Sequence, residues 1–299
     1  MTTPRLAVVT IVRGRHAHLA GQIRGLRTQE RGPDVYVVVA IDDPAAHDVA
    51  RRLSPPDWDL RRPGTGLQDG RMPLSAARNL GASTAIGAGA EHLVFLDVDC
   101  VPNPGLVARY GEVLAGTPGD HPSILCGDVA YEQPPPPGAG SGAALPPRHH
   151  PARPALPATE IRGVDDVSLF WSLSFAVTAR DFTAIGGFDE TYAGYGAEDT
   201  DFGQRLVRSG GRLLFVGGAG AVHQYHPSPS PPVQHVADIV ANANVFAGKW
   251  GWWPMESWLE QFRELGLARR GPDGRWCVDG VGAQHATSPG EVTPARARG

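Results

Sequence analysis

A chain of 299 residues can bury one large core or two small ones, and 41% hydrophobic against 19% charged residues excludes a chain that is disordered overall. The formal net charge is −4 with no basic stripe, which excludes nucleic acid as the main partner. The three cysteines, Cys100, Cys126 and Cys277, are too far apart for a zinc motif or a disulfide framework, and the apolar run of residues 6–12 is too short to span a membrane. No cleavage site follows it, so the expectation is a reduced, cytoplasmic protein without a membrane span.

In chain order, "RLAVVTIV" (5–12) reads as a fully buried strand. "HAHLAGQIRGLRTQ" (16–29) carries Leu19, Ile23 and Leu26 at helical spacing. "DVYVVVAIDDP" (34–44) is a second buried strand ending in acids, and "PAAHDVARRL" (44–53) is a helix with Pro44 in its first turn. "PLSAARNLGASTAIGAGA" (73–90) is a helix of small residues, and "EHLVFLDVD" (91–99) is another strand. This alternation predicts βαβ units and a mostly parallel sheet, whose ligands bind outside the carboxyl ends of the strands. Residues 133–160 are rich in proline, glycine and alanine and predict a mobile insertion, with His149 and His150 solvated in it. Residues 167–182 read as strand-like, a helix opens at Glu198 with Phe202 and Leu206 inward, and residues 212–227 form a strand ending in two histidines. Residues 234–248 and 254–268 read as helices. Beyond 269 the tail is polar, with a small hairpin around Trp276.

Asp97 and Asp99 end the strand of residues 91–99 and, at spacing i, i+2, would share one face. Two such carboxylates repel unless a cation compensates, and a hard divalent ion such as Mg²⁺ or Mn²⁺ fits them. The plainer alternative is a turn that caps the next helix. Glu198, Asp199 and Asp201 crowd one helical first turn, more acids than the helix dipole needs, and one of them could be a general base. His223 could add a nitrogen ligand to the same ion. Asp42 and Asp43 could accept hydrogen bonds from a base and a ribose. Arg71 and Arg78 are candidates for phosphate charge, with Arg78 facing the strand ends. Phe170 and Trp171 offer aromatic faces on which a ligand ring could stack, and Trp171 could equally be ordinary core packing. "KWGWWPMESW" (249–258) holds four tryptophans, read first as part of a packed C-terminal helix and second as a partner or membrane-interface surface.

Taken together, "LAVVTIVRGR", "VVVAIDD", "SAARNLGAS", "HLVFLDVDCVPNP", "GGFDETYAGYGAEDTDFGQRL" and "VHQYHP" come in the order found in GT-A fold glycosyltransferases. The N-terminal half resembles family 2 glycosyltransferases. Residues 186–226 resemble the catalytic segment of β-1,4-galactosyltransferases, polypeptide N-acetylgalactosaminyltransferases and chondroitin polymerases. The resemblance implies a GT-A, Rossmann-like α/β fold over residues 1–250, carrying the insertion 133–160, with a C-terminal helix and tail over 251–299. It implies a metal-dependent, inverting transfer from a nucleotide-diphosphate sugar, with UDP expected, to a carbohydrate, lipid-linked or small-molecule acceptor. If the acceptor is a lipid, the enzyme would sit peripherally on the inner membrane face.

By position, the resemblance gives Asp99, Asp97 and His223 to Mn²⁺ or Mg²⁺, and Asp97 also to the ribose. Thr10 and Asp43 fall where the uracil is held, and Asp42 and Arg78 complete the nucleotide set. Asp199 falls on the catalytic base, and Glu198 on the acceptor contact. Trp171, Tyr195 and His226 belong to the acceptor side; Tyr195 stands where relatives often carry tryptophan. Two rivals differ in what they need. A sugar-nucleotidyltransferase wants a glycine-rich phosphate loop after the first strand, which "TIVRGRHAH" lacks. A non-catalytic nucleotide- or sugar-binding protein of the same fold would keep these acids for nothing but mutual repulsion.

Overall fold

The computed structural model describes residues 3–134 and 145–279, which form two compact units. The first runs to Gly194 and resumes over Glu198–Pro227; the second takes Tyr195–Ala197 and the chain from Ser228 on. The first unit begins with β1 (Leu6–Val12), α1 (His16–Arg27), β2 (Val35–Ile41), α2 (Pro44–Leu53), β3 (Asp59–Arg61) and β4 (Gly64–Thr65). There follow α3 (Leu74–Gly87), β5 (His92–Leu96), β6 (Cys100–Pro102), α4 (Leu106–Gly116) and β7 (Ser123–Tyr131). It continues through β8 (Arg148–His149), β9 (Ile161–Val164), β10 (Ser174–Thr178), α5 (Ala179–Ile185), α6 (Glu198–Arg208) and β11 (Arg212–His223).

The sheet order is β3-β2-β1-β5-β10-β7-β11-β6. Strands β3, β2, β1 and β5 are parallel, and so are β7 and β11. Strand β10 runs antiparallel between β5 and β7, and β6 and β9 run antiparallel to β11. Every residue of β1 and β2 is buried because both faces of the sheet are covered. Leu6, Val8 and Val12 pack on one face with Leu19, Ile23 and Leu26 of α1 and Tyr110 of α4. Ala7, Val9 and Ile11 pack on the other with Ala77 and Ala85 of α3 and Phe202 and Leu206 of α6. This is the α/β, GT-A-type architecture expected.

Three expectations are corrected. Strand β5 stops at Leu96, and Asp97 to Asp99 form a tight turn closed by the Cys100 amide donating to the Asp97 carbonyl at 2.8 Å. The acids therefore owe their proximity to a turn, not to strand alternation. That turn does not cap α4 either, whose N-cap is Gly105 with no side-chain bond. Residues 167–182 are not one strand: a short 3₁₀ turn (Val167–Leu169) precedes β10, and the Thr178 hydroxyl accepts from the Asp181 amide at 3.0 Å to start α5. Of the insertion 133–160, residues 135–144 lie outside the described residues. The described remainder is tied to the sheet, not free: β8 pairs with β7, and the Gly217 amide donates to the Glu160 carbonyl at 2.9 Å.

The second unit holds α7 (Val236–Trp250), α8 (Glu256–Glu264) and a hairpin of β12 (Ala268–Arg270) and β13 (Trp276–Val278). Ile239 and Ala243 of α7 pack with Leu259, Phe262 and the buried Trp276. That shared core puts α7 in the C-terminal unit, so the division falls after Pro227 and not after residue 250. Trp253 and Trp258 pack against this core, while Trp252 is 39% exposed. Among the described residues no helix is long and apolar enough to cross a membrane. The small hairpin expected around Trp276 is present as β12 and β13, and residues 280–299 lie outside the described residues.

Candidate active site

The carboxyl ends of β1, β2 and β5 open on one edge of the first unit. The turn after β5 is held there from beneath by Gln22 of α1, fully buried. Its amide donates to the carbonyls of Asp97 at 2.7 Å and Cys100 at 3.3 Å, and its oxygen accepts from Thr10 at 2.8 Å and Tyr36 at 3.0 Å. Asp99 leaves this turn toward β11. The antiparallel register of β11 on β6 sets His223 opposite Cys100, and the Gln224 amide donates to the Asp99 carbonyl at 2.7 Å. Asp99 Oδ2 thus lies 3.7 Å from His223 Nε2 and 3.3 Å from His226 Nε2. The three residues can each offer one ligand atom within 4.8 Å of the others.

This donor set fits a divalent ion. Burial raises the Asp99 pKa, but the His226 hydrogen bond and the His223 and Arg15 charges outweigh it and hold the carboxyl at about 2. Burial lowers the His223 pKa against the pull of Asp99, which favours the neutral, ligating imidazole. Two imidazoles beside one carboxylate suit Mn²⁺ better than Ca²⁺, which takes oxygen ligands. Arg15, at 2.9 Å from Asp99 Oδ2, adds a fixed positive charge beside the same oxygen.

Asp97 turns the other way. Arg78, 5% exposed, lies 3.5 Å from Asp97 Oδ1 and 3.2 Å from Glu198 Oε1. It clamps the turn after β5 to the first turn of α6. Small residues bring α3 close enough to do this: at Gly81 a Cβ would collide with the Val9 side chain. Asn79 holds the loop before α6, donating to the Phe188 carbonyl at 2.9 Å and accepting from the Phe188 amide at 2.9 Å. Phe188 stacks on Phe202 at 4.2 Å with the Arg78 guanidinium 5.3 Å above its ring. Burial pushes Asp97 up to about 7, with Asp99 and Glu198 adding to the rise and Arg78 opposing it. Burial and then the Glu198 charge raise Asp199 well above the ordinary carboxylate range. Glu198 is buried, and its Oε2 has no hydrogen-bond partner among the described residues. Asp201 turns inward, accepting from the Tyr192 hydroxyl at 3.1 Å.

The remaining expected residues are spread more widely. Thr10 is fully buried with its hydroxyl donating to Gln22 and to the Leu96 carbonyl at 3.1 Å, so it supports the turn from inside. Asp42, at φ 48°, is exposed and lies 3.4 Å from Arg13. Asp43 accepts from the Gly14 amide at 2.7 Å and lies 2.9 Å from His16 Nε2. Burial raises the Asp43 carboxyl, but the Gly14 and His16 contacts prevail and hold it below its usual value. Arg71 closes a turn with Gln68 by two backbone hydrogen bonds of 2.9 Å. Trp171 is half-buried beside β10. Tyr195 belongs to the second unit, where it stacks on His235 at 4.7 Å. His226, expected on the acceptor side, stands in the Asp99–His223 cluster, and Asp97 stands outside it. Sequence reasoning missed Arg15 and Gln22. Arg15 follows the first strand, where an arginine near the sheet's open edge is the available signal; a buried glutamine on an amphipathic helix gives none.

A family profile described as the N-terminal domain of galactosyltransferase matches residues 158–227, from before β9 to just past His226. Two relatives are both named validoxylamine A glucosyltransferase. That of Streptomyces hygroscopicus subsp. limoneus is 29% identical over 226 residues, covering 69% of this chain and 49% of the relative. That of Streptomyces hygroscopicus subsp. jinggangensis (strain 5008) is 28% identical, covering 69% and 52%. The chain spans about half the length of the curated relatives it matches. Among solved structures, GalNAc-T7 with UDP, GalNAc and Mn²⁺ aligns with a TM-score of 0.52 at 17% identity, over 88% of this chain and 54% of its own. S. aureus TarS aligns with a TM-score of 0.52 at 13% identity, over 88% and 45%.

Proposed function

We propose that this chain, a GT-A-type glycosyltransferase in fold and relatives, transfers a sugar from a UDP-sugar to an acceptor hydroxyl, with inversion and with a divalent cation. The observation that carries the reading is one convergence: a carboxylate–imidazole cluster and an acidic helix start are joined across a single turn by Arg78. The solved neighbour holding UDP and Mn²⁺ supports the donor and the ion. Both relatives are named validoxylamine A glucosyltransferase, which favours glucose as the sugar.

Asp99, His223 and His226 would hold the cation. When bound, it offsets the charge that grows on the leaving diphosphate. Asp43, fixed by Gly14 and His16, faces the nucleoside end at the mouth of β2. The acceptor oxygen attacks the anomeric carbon from the side opposite the diphosphate. The new C–O bond forms as the bond to phosphate breaks, and the electron pair leaves with UDP. Asp199 takes the acceptor proton, and its raised pKa matches a base that works near neutral pH. Glu198 and Asp97 keep Arg78 charged, and Arg78 in turn keeps three acids in one small volume. A separate general acid is not needed, because the diphosphate is already a good leaving group.

Calorimetric titration of UDP, GDP and dTDP, each with and without Mn²⁺, tests the reading. UDP binding that needs Mn²⁺ and is lost in Asp99→Asn supports it. No nucleotide binding with any divalent metal sinks it.

A further inference from the structure

The proline-rich insertion brings side chains to the open edge that the mechanism above does not use. β8 pairs with the end of β7, and His149 Nδ1 lies 2.6 Å from Asp128 Oδ2, so this stretch of backbone is fixed. Arg153, just beyond, is only 7% exposed. Its guanidinium lies between two rings, 5.3 Å from the centre of Trp171 and 5.1 Å from that of Phe215. One terminal nitrogen donates to the Gly127 carbonyl at 3.4 Å, while Nε and Nη1 are buried without a hydrogen-bond partner among the described residues. A buried guanidinium held this way costs stability, with cation–π contact offsetting only part of it. A cation packed on the Trp171 ring favours the ring planes that keep this contact.

His150 then stands nearly perpendicular to Trp171, at 84° with ring centres 4.7 Å apart. It also lies 6.4 Å from Tyr131, whose ring is 5.2 Å from His223. A line of rings therefore runs from the insertion to the cation cluster. It stands on the β7–β11 side of the sheet. Asp43 stands across β1, β5 and β10, at the end of β2. On the transferase reading, a donor with its nucleoside at Asp43 and its diphosphate at the Asp99–His223 cluster would end beside these rings.

We propose that Trp171, His150 and Tyr131 form the wall that receives the acceptor as a hydroxylated six-membered ring, a pyranose or a cyclitol, with Arg153 as the positioning residue. The assignment rests on the transferase reading above. Carbon–hydrogen faces of such rings pack on aromatic side chains, and their hydroxyls need donors and acceptors close by. His150 Nδ1 accepts from the Ala152 amide at 3.2 Å, which in the neutral ring leaves the proton on Nε2 as a donor. His150 is exposed, while Trp171 and Tyr131 are half-buried.

Fluorine NMR of the full chain labelled with 5-fluorotryptophan tests this, with UDP and Mn²⁺ present. Trp171→Phe assigns the resonance, and Trp58 of the same unit reports on the fold. Methyl β-D-glucopyranoside and myo-inositol are the probes. At least one should shift the Trp171 resonance saturably, and His150→Ala should weaken that probe about three- to tenfold, as loss of one good hydrogen bond and its contact would. Arg153→Met should displace the Trp171 resonance before any ligand is added and weaken the probe, where a role in stability alone would lower only the melting temperature. If neither probe moves Trp171, or His150→Ala binds both as the native chain does, the wall is wrong. UDP titrated into the same samples keeps the two readings apart. A chain that binds UDP with Mn²⁺ while Trp171 stays still loses the wall and keeps the transferase. A chain that binds the ring but no nucleotide keeps the wall and loses the transferase.

Discussion

Asp199 can take a proton only after losing its own. Burial and the Glu198 charge raise its pKa, so below that pKa it stays protonated and idle. Turnover should therefore climb with pH at unit slope through the near-neutral range and level off above it, a limb that steady-state rates at saturating donor will show. Asp199→Asn should lower transfer about 10²- to 10⁴-fold while UDP titration still gives Mn²⁺-dependent heat. A normal rate in that variant would remove Asp199 from the role. At the cation, His226→Ala and His223→Ala should each weaken Mn²⁺ binding by at least about tenfold by calorimetry, since loss of a ligand costs no less than loss of its support. A native affinity in His226→Ala would return that residue to another task. That Asp99 stands just past the end of β5, Asp199 in the first turn of α6 and His223 at the end of β11 was legible, because each follows an apolar run or opens a helix. His226, Arg15 and Gln22 were not, because what marks them is a distance to Asp99 or to a backbone carbonyl, and only the folded chain defines it. Asp97 was legible as an acid but not as the partner of Arg78.

At the scale of elements, long apolar runs were read correctly because a strand buried on both faces leaves no other pattern. β1, β2 and the helices α1 to α3 fall within a few residues of expectation. The stretch leading into β10 misled because its apolar residues run on into α5, and only the Thr178 cap divides them. The insertion misled for another reason. Its ties are backbone pairs to β7 and β11, which proline-rich composition hides. One contact of this kind is testable. Gly127 of β7 passes so close to β11 that an added Cβ would meet the Ala219 carbonyl and the Tyr110 hydroxyl. Gly127→Ala should cost about 1–3 kcal/mol in urea unfolding, as overpacking does.

For the whole molecule, an ion that binds only the folded state raises stability by mass action. Mn²⁺ at about 100 times its dissociation constant should add about 2.7 kcal/mol and raise the melting temperature, and a chelator should reverse the gain. A melting temperature indifferent to Mn²⁺ would mean that no such ion is held. The division into units was the least legible feature at this scale. Nothing in residues 228–250 says that α7 shares its core with a tryptophan of a later hairpin.

The pairing of β11 with β6 sets His223 across from Cys100, one residue beyond Asp99. Because side chains alternate along a strand, a slip of a single residue would send that imidazole to the opposite face. Cation stoichiometry is then a gauge of register. If the cluster takes Mn²⁺ as proposed, the fraction of refolded chains that take up one ion should count those whose β11 has docked in register, including among species whose far-ultraviolet spectra look alike.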